Sequence, residues 1–491
     1  MNRDDISVKS VVKQNYLYNI VYQLLVLVLP LITAPYLSRV VGSDGIGVYS
    51  YTQAFAHYFV IVAMLGVNNY GNREIARVSD DENRKSTTFW EIYTIQIVLS
   101  AVMGIGYVLY LLIAKPDNAL IYGLQLLYVI SAAFDINWYF FGVQKFKLTV
   151  IRNAVIKALT TCCIFIFVKS KNDLWLYTGI IAGGTLLSNL AVWPFLLREV
   201  QFKRICWKNT VRRIKPNVVL FIPVIAVSLY NVMDKLMLGW FCDYSEVGFY
   251  TYALRIVEVP VAVIVALGTV MMPHVSNLMS KGKHKECAQL FDKAMRFVLF
   301  MSIAFAFGMA NLAPIFSDWY YGADFARCGL FMIWLTPMIV FKCWANLIRT
   351  QYIIPKGYDK IFILSVSVGA LCNLILNILL IPGLQGFGAI IGTLVAEFSV
   401  CAIQTWKTAP EINFKPYFME LLVFIGIGLT MCIVMSVMKN FLDSRNPLSE
   451  LLTLFLTGLT VYVSLSLIYM IKFKKLKLSE LSFVCNNKSN N

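Results

Sequence analysis

Charge is scarce in this 491-residue chain: only 14% of its residues are Asp, Glu, Lys or Arg. That is about half the share usual in soluble domains. So few charges cannot wet the surface of a water-soluble fold, which excludes that class. Histidine is rarer still, at three residues (His57, His274 and His284), and no His-Glu-x-x-His run occurs. Zinc-peptidase chemistry of that type is thereby excluded. The Gly-x-x-x-x-Gly-Lys-Ser/Thr phosphate loop is missing as well, which removes ATP hydrolysis by a P-loop. The eleven cysteines form no Cys-x-x-Cys pair, and Cys343, Cys372 and Cys401 sit inside apolar runs. They read as small hydrophobic residues rather than disulfide partners or metal ligands. Nothing in the sequence calls for a cofactor or a metal. The longest stretches between apolar runs are about twenty residues, so no sizeable extramembrane domain is present. This counts against a membrane enzyme such as a glycan polymerase or acyltransferase.

What the chain has is apolar length. Residues of the Ala, Val, Ile, Leu, Met, Phe, Trp, Tyr and Cys types make up 58% of it. The runs at 17–37, 89–114 and 361–381 are each long enough to cross a ~30 Å hydrocarbon core as a helix. Short alternating segments of the barrel type are missing. Charge clusters and Gly/Pro/Asn/Asp stretches divide the chain into fourteen expected spans. They lie at 15–38, 46–67, 89–113, 119–141, 150–168, 174–197, 216–241, 249–273, 294–316, 328–348, 360–381, 386–406, 417–438 and 450–471. The first follows a short polar start without a small-residue cleavage site, and reads as a retained span.

Loop charge orients these spans. With the N-terminus in the cytoplasm, cytoplasmic segments hold 32 of the 43 Lys and Arg, and outer segments hold seven. That agrees with the positive-inside rule and places the C-terminus in the cytoplasm too. The net charge of +16 is spread over many short loops rather than gathered on one face. Insertion topology accounts for it without a nucleic-acid partner.

The chain also repeats itself. Gly47-Val-Tyr-Ser-Tyr51 opens span 2 and Gly248-Phe-Tyr-Thr-Tyr252 opens span 8, an offset of 201. The inner loops Phe141-Gly-Val-Gln-Lys145 and Ile354-Pro-Lys-Gly357 correspond loosely. Six spans then match six with the same orientation. The expected fold is an all-α membrane protein with two six-helix lobes in parallel pseudo-repeat around a central cavity, plus two C-terminal helices. The lobes are expected at 1–197 and 216–406, joined by a basic cytoplasmic loop at 198–215. Spans 13 and 14 and a basic tail occupy 407–491.

Ionisable groups at membrane depth cost ~2.5–3.5 kcal/mol each on insertion scales, so each is a functional candidate. Span 7 carries Asp234 and Lys235, and span 8 carries Arg255 and Glu258. Span 2 carries His57, span 4 Asp135, span 5 Lys157, span 10 Lys342 and span 12 Glu397. Arg255 and Glu258 are i, i+3 on one face and suited to pair. Arg255 and Lys235 each lie six residues from the outer end of a span, roughly 9 Å deep. With Arg39 at the outer end of span 1, they outline a cationic pocket suited to a phosphate or diphosphate. Asp234, Glu258 and His57 are cavity or ion-coupling candidates, although a hydrogen-bonded core histidine is the plainer reading of His57. Lys157 and Lys342 lie near cytoplasmic ends and are expected to snorkel, and Asp135 to bond locally. Tyr49, Tyr51, Tyr250 and Tyr252, near the outer ends, suit sugar faces but read mostly as an interfacial belt. Prolines at 30, 35, 223 and 260 interrupt spans 1, 7 and 8.

Three stretches carry a resemblance: Leu65-Gly-Val-Asn-Asn-Tyr-Gly-Asn-Arg-Glu-Ile-Ala-Arg77, Phe134-Asp-Ile-Asn-Trp-Tyr-Phe-Phe-Gly-Val-Gln-Lys-Phe146, and Tyr252-Ala-Leu-Arg-Ile-Val-Glu-Val-Pro260 followed by Gly268-Thr-Val-Met-Met-Pro273. With the length and span count, the chain resembles the Wzx-type polysaccharide flippases of the multidrug/oligosaccharidyl-lipid/polysaccharide exporter superfamily. The third stretch is also similar to the lipid II flippases. The resemblance implies movement of an undecaprenyl-diphosphate-linked oligosaccharide from the inner to the outer leaflet. Two lobes alternate in access, driven by an ion gradient of H+ or Na+. It implies no catalysis, a bacterial cytoplasmic membrane, and the polysaccharide polymerase machinery as a candidate partner. It ties Arg255 to the lipid diphosphate and the last two helices to the lipid tail. The neighbouring readings are a multidrug or cation antiporter of the same superfamily and a lipid II or teichoic-acid flippase. The antiporter branch tends to place an acid within span 1, and residues 15–38 contain none.

Overall fold

The computed structural model describes residues 25–442 and 446–474. Among the described residues all regular structure is helical, without a strand. In chain order the helices are α1 (Leu25–Val40), α2 (Gly42–Met64), α3 (Val67–Arg77), α4 (Glu82–Ala114), α5 (Ala119–Phe134), α6 (Asn137–Gly142), α7 (Phe146–Phe167), α8 (Leu174–Leu190) and α9 (Trp193–Leu196). Next come α10 (Trp207–Phe241), α11 (Tyr244–Ser280), α12 (His284–Tyr321), α13 (Ala326–Leu335), α14 (Pro337–Ile348), α15 (Asp359–Leu384), α16 (Gly386–Thr408), α17 (Lys415–Lys439) and α18 (Pro447–Lys474).

Where the structure describes them, the fourteen expected spans fall on helix. Among the described residues eleven helical runs are long and apolar enough to cross a membrane, and a pair bent by 45°, Ala323–Leu335 with Pro337–Ile353, makes up to twelve if it is one span. The bend falls where Pro337, lacking an N–H, opens α14. The other two positions are α1 and α10. Residues 15–24 of the first expected span lie outside the described residues, as do the basic start and most of the tail.

By its contacts the chain divides into two compact units, Met1–Tyr252 with Asn373–Gly392, and Ala253–Cys372 with Thr393–Asn491. In the first unit the duplicated motif has a direct physical meaning. A Cβ on Gly47 would lie 1.7 Å from the Tyr244 carbonyl oxygen, and one on Gly248 would lie 2.3 Å from the Ser43 carbonyl oxygen. Ser43 and Tyr244 are themselves repeat equivalents at the same offset of 201. The two helix openings therefore cross reciprocally, each glycine admitting the other repeat's backbone, as in a two-fold contact.

The first two resemblance stretches also meet. The second supplies Trp138, Tyr139 and Phe140, all fully buried, which pack with Val67, Tyr70 and Ile75 of the first. Phe89 stacks on Trp138 with centroids 5.3 Å apart. Trp138 Nε1 donates to Gln96 Oε1 (3.0 Å), and Gln96 Nε2 donates to the carbonyls of Ala132 (2.7 Å) and Asp135 (2.8 Å). These residues build the core that closes the break between α5 and α6.

The basic stretch 198–215, expected as a loop, is loop only as far as Cys206, because α10 opens at Trp207. Its Arg213 turns inward: Nε donates to Glu91 Oε2 at 2.8 Å, with Glu74 Oε2 3.7 Å from Nη1. A carboxylate as buried as Glu91 (2% exposed) needs such a cation, and meeting it holds this turn as helix. The remaining connector is stitched to the start of α4. Gln201 N donates to Ser86 Oγ (3.1 Å), Trp90 Nε1 to the Gln201 carbonyl (3.0 Å), and Lys203 Nζ to Asn83 Oδ1 (2.9 Å).

In the second unit α12 packs against α13, α14, α17 and α18. Arg296 on α12 pairs with Asp292 and with the buried Glu420 of α17. The outward faces of α17 and α18 carry exposed Leu422, Leu429, Ile433, Leu452, Phe455 and Leu459, as lipid contact requires.

Candidate functional site

The first unit holds Asp234, Lys235, His57 and Arg39. Asp234 on α10 is 2% exposed. Its Oδ2 accepts from Tyr250 Oη at 2.5 Å and its Oδ1 from Asn377 Nδ2 at 2.6 Å. Asn377 Nδ2 also donates to Asn373 Oδ1, one turn back on α15, at 3.2 Å. Gly392 on α16 makes room for this amide, since a Cβ there would fall 2.2 Å from Asn377 Oδ1. A buried carboxylate is thus held by neutral donors from α11 and α15. Neither asparagine was singled out in the sequence; the available signal was two Asn spaced i, i+4 inside an apolar run.

Lys235 follows on α10, half-buried and within electrostatic range of His57. His57 Nδ1 is 2.8 Å from Tyr128 Oη, with the rings nearly parallel at 8°. The hydrogen-bonded histidine expected from the sequence is what the structure contains. Arg39 is exposed at the end of α1, and its Nη1 donates to the Pro35 carbonyl at 2.8 Å.

The second unit holds Arg255 and Glu258, one turn apart on α11. Arg255 is half-buried, with Tyr320 in electrostatic range. Glu258, expected to face Arg255, has an ion pair with Lys342 of α14 at 2.5 Å. Lys342 Nζ lies 3.6 Å from Glu397 of α16, a residue 2% exposed. Lys342 therefore does not snorkel as expected. Two carboxylates at this depth demand a cation, and that demand outweighs the pull of the interface on the ammonium. Each partner sits on a different helix, so sequence spacing gave no hint of the cluster.

Asp135 bonds locally as expected: its Oδ1 accepts from the Asn137 amide (3.1 Å) and from Asn137 Nδ2 (2.7 Å) at the start of α6. The tyrosines read as an interfacial belt are instead inside the protein. Tyr49, Tyr51, Tyr250 and Tyr252 are 7%, 6%, 1% and 2% exposed, since their helices cross too closely to leave them at the surface. At the loop after α16, Glu411 accepts from Lys356, Tyr352 and Tyr358. The hydrogen bond from Lys356, then that from Tyr352, holds its carboxyl down to about 2. Lys356 belongs to the inner-loop stretch that the repeat singled out.

A dozen apolar spans with charges held between them define a multi-spanning membrane protein of the transporter kind. The chain belongs to the polysaccharide biosynthesis protein family, which matches it over residues 12–279. It is 22% identical over 400 residues to the "Putative O-antigen transporter" of Escherichia coli (strain K12), covering 80% of this chain and 96% of that one. A shorter match, 25% over 147 residues, links it to the lipid II flippase MurJ of Bacillus subtilis (strain 168), covering 29% of this chain and 26% of the other. Among solved structures, the lipid II flippase MurJ in an inward closed conformation superposes with a TM-score of 0.72, at 16% identity, over 94% of this chain and 99% of that one. An inward-facing multidrug resistance MATE family transporter of the MOP superfamily superposes at 0.57, with 14% identity, over 82% and 95%. The fold is therefore the two-lobe fold of that superfamily.

Proposed function

We propose that this protein flips undecaprenyl-diphosphate-linked oligosaccharide repeat units across the bacterial cytoplasmic membrane for surface polysaccharide synthesis. The observation that carries this reading is the match to the O-antigen transporter along nearly all of that protein's length. The physics fits: the polyprenyl tail stays in lipid while the charged, sugared head crosses a polar path, avoiding the cost of bare charge in hydrocarbon. The repeat-related lobes at 1–197 and 216–406 alternate in access, and no bond is made or broken. Arg255 is the foremost diphosphate ligand, with Lys235 and Arg39 as supporting cations. Asp234, Glu258 and His57 are the coupling candidates for H+ or Na+. Both termini lie in the cytoplasm, on the strength of the loop charges.

The test is a strain lacking the gene, with and without complementation, assayed for surface polysaccharide. Loss of the polymer, with lipid-linked repeat units accumulating on the cytoplasmic side, supports the reading. Unchanged polysaccharide with altered drug sensitivity would replace it with the antiporter reading, which the shared fold favours. The absence of any acid at 15–38 weighs against that second reading.

A further inference from the structure

We infer that the overhanging start of α10 is a binding site for anionic phospholipid headgroups. The inference stands apart from the flippase reading. A helix crosses the ~30 Å hydrocarbon core in about twenty residues, and α10 has 35. Its surplus falls at 207–215, ahead of the span expected at 216–241, because that stretch carries Lys208, Arg212, Arg213 and Lys215. The loop charges assign this end to the cytoplasmic side.

The overhang has three faces. Thr210, Arg213 and Asn217, spaced i, i+3, i+7, turn inward: Thr210 and Asn217 are buried, and Arg213 is clamped to Glu91. Trp207, Val211, Ile214 and Val218, spaced i, i+4, i+7, i+11, form a second stripe. All four are exposed, Trp207 by 65% and Val211 by 59%. Lys208, Arg212 and Lys215, spaced i, i+4, i+7, form a third stripe, exposed as well. At 3.6 residues per turn the apolar stripe lies about 100° round the helix from the buried one. The cationic stripe lies about 100° further, nearly opposite the contact with α4.

Insertion topology accounts for cations at this end of the helix. It does not account for a tryptophan and three aliphatic residues left uncovered beside them, since an exposed apolar patch marks a contact surface. The stripe runs on into the span, where Val219 is exposed too. It is therefore continuous with the lipid-facing surface of the same helix, and that continuity selects lipid over a soluble protein as the occupant. An aromatic and aliphatic stripe flanked by Lys and Arg is the composition of a helix that rests at a membrane interface. The tryptophan and aliphatic side chains meet the acyl boundary while the cations reach phosphate oxygens. Among the described residues no ion pair involves Lys208, Arg212 or Lys215. A zwitterionic headgroup brings its own cation to the phosphate, whereas an anionic one leaves net negative charge for these three, so the stripe prefers anionic lipid.

Brominated lipids, which quench tryptophan fluorescence on contact, are the probe. The full-length protein is reconstituted in phosphatidylcholine vesicles containing a minor fraction of brominated phosphatidylglycerol, or the same fraction of brominated phosphatidylcholine. Both leaflets carry the probe, so the result is independent of which way the protein inserts. The Trp207 signal is the difference between wild type and Trp207→Phe. Brominated phosphatidylglycerol is expected to quench it at a severalfold lower mole fraction than brominated phosphatidylcholine, and high salt should shrink that preference. Each cation near an anionic surface is worth about a fivefold preference. Lys208→Gln, Arg212→Gln and Lys215→Gln together should therefore remove most of it, while quenching by brominated phosphatidylcholine stays as in wild type. That second reading shows the variant to be folded and inserted. Equal quenching by the two lipids in the wild-type protein would overturn the anionic site. Quenching by neither would place the stripe against water or a soluble partner and overturn the lipid contact itself.

Discussion

Gly47→Ala and Gly248→Ala, singly and together, test whether the duplicated motif is a reciprocal contact. A methyl at Gly47 would overlap the Tyr244 carbonyl at 1.7 Å, and one at Gly248 the Ser43 carbonyl at 2.3 Å. Real contacts of this kind stay beyond 3.0 Å, so the backbones must part by more than an ångström in the first case and somewhat less in the second. The obstacle is backbone on both sides, with no flexible side chain to give way. Each single change should therefore cost at or above the upper end of the ~1–3 kcal/mol typical of overpacking, with Gly47→Ala the worse. One separation of α2 from α11 relieves both clashes. The double variant should then cost well under the sum of the singles, with a coupling of about 0.5–3 kcal/mol. A melt followed with a thiol-reactive dye suits the assay, because Cys328 and Cys343 are buried and report unfolding. Gly426→Ala is the control: nothing lies within 4 Å of a Cβ there, and alanine is the better helix former by up to ~1 kcal/mol. Additive costs, or singles within about 0.5 kcal/mol of wild type, would refute the reciprocal contact.

Three more expectations follow from the same geometry. Arg255→Ala should abolish surface polysaccharide at an unchanged protein level, and normal polymer in that strain would sink the diphosphate role. Arg213→Ala leaves Glu91 buried without its cation and should cost about 3–5 kcal/mol in a melt, whereas Arg213→Met with Glu91→Leu should recover most of it. Glu411 is held down to about 2, against ~4.3 for a free glutamate. Because its folded value is the depressed one, its contribution is complete above ~4.3 and disappears as pH falls through about 2. Protease sensitivity of the loop around Lys356 should stay flat down to about pH 4 and rise below it. Lys356→Ala should return the Glu411 titration toward ~4.3.

What was legible in the sequence was depth; what was not was partnership. The apolar runs placed the helical positions wherever residues are described, because a span is read from its own residues. The repeat offset of 201 proved physical, since glycine tolerates a backbone approach that no other residue does. Asp135 was legible because its partner, Asn137, is two residues away. Lys342 was not, because snorkelling follows from position alone while Glu258 and Glu397 reach it from other helices. Asn377, which holds Asp234 across 143 residues of chain, was hidden in the same way. The tyrosines misled because an aromatic near a span end is compatible with lipid headgroups or with a helix crossing, and only packing distinguishes them.

The stitched connector between the repeats changes how force travels through the chain. A slack loop at 198–215 would act as a tether, transmitting nothing until pulled taut. Instead Gln201 and Lys203 are hydrogen-bonded to the opening of α4, and Arg213 is clamped to Glu91 farther along the same helix. The segment is a splint: when α4 tilts, the start of α10 must tilt with it. Asp234 and Lys235 ride on the far end of that same 35-residue α10. A displacement at the start of α4 is thereby carried along α10 toward its other end, and lengthening the connector would disengage the two helices without touching either end.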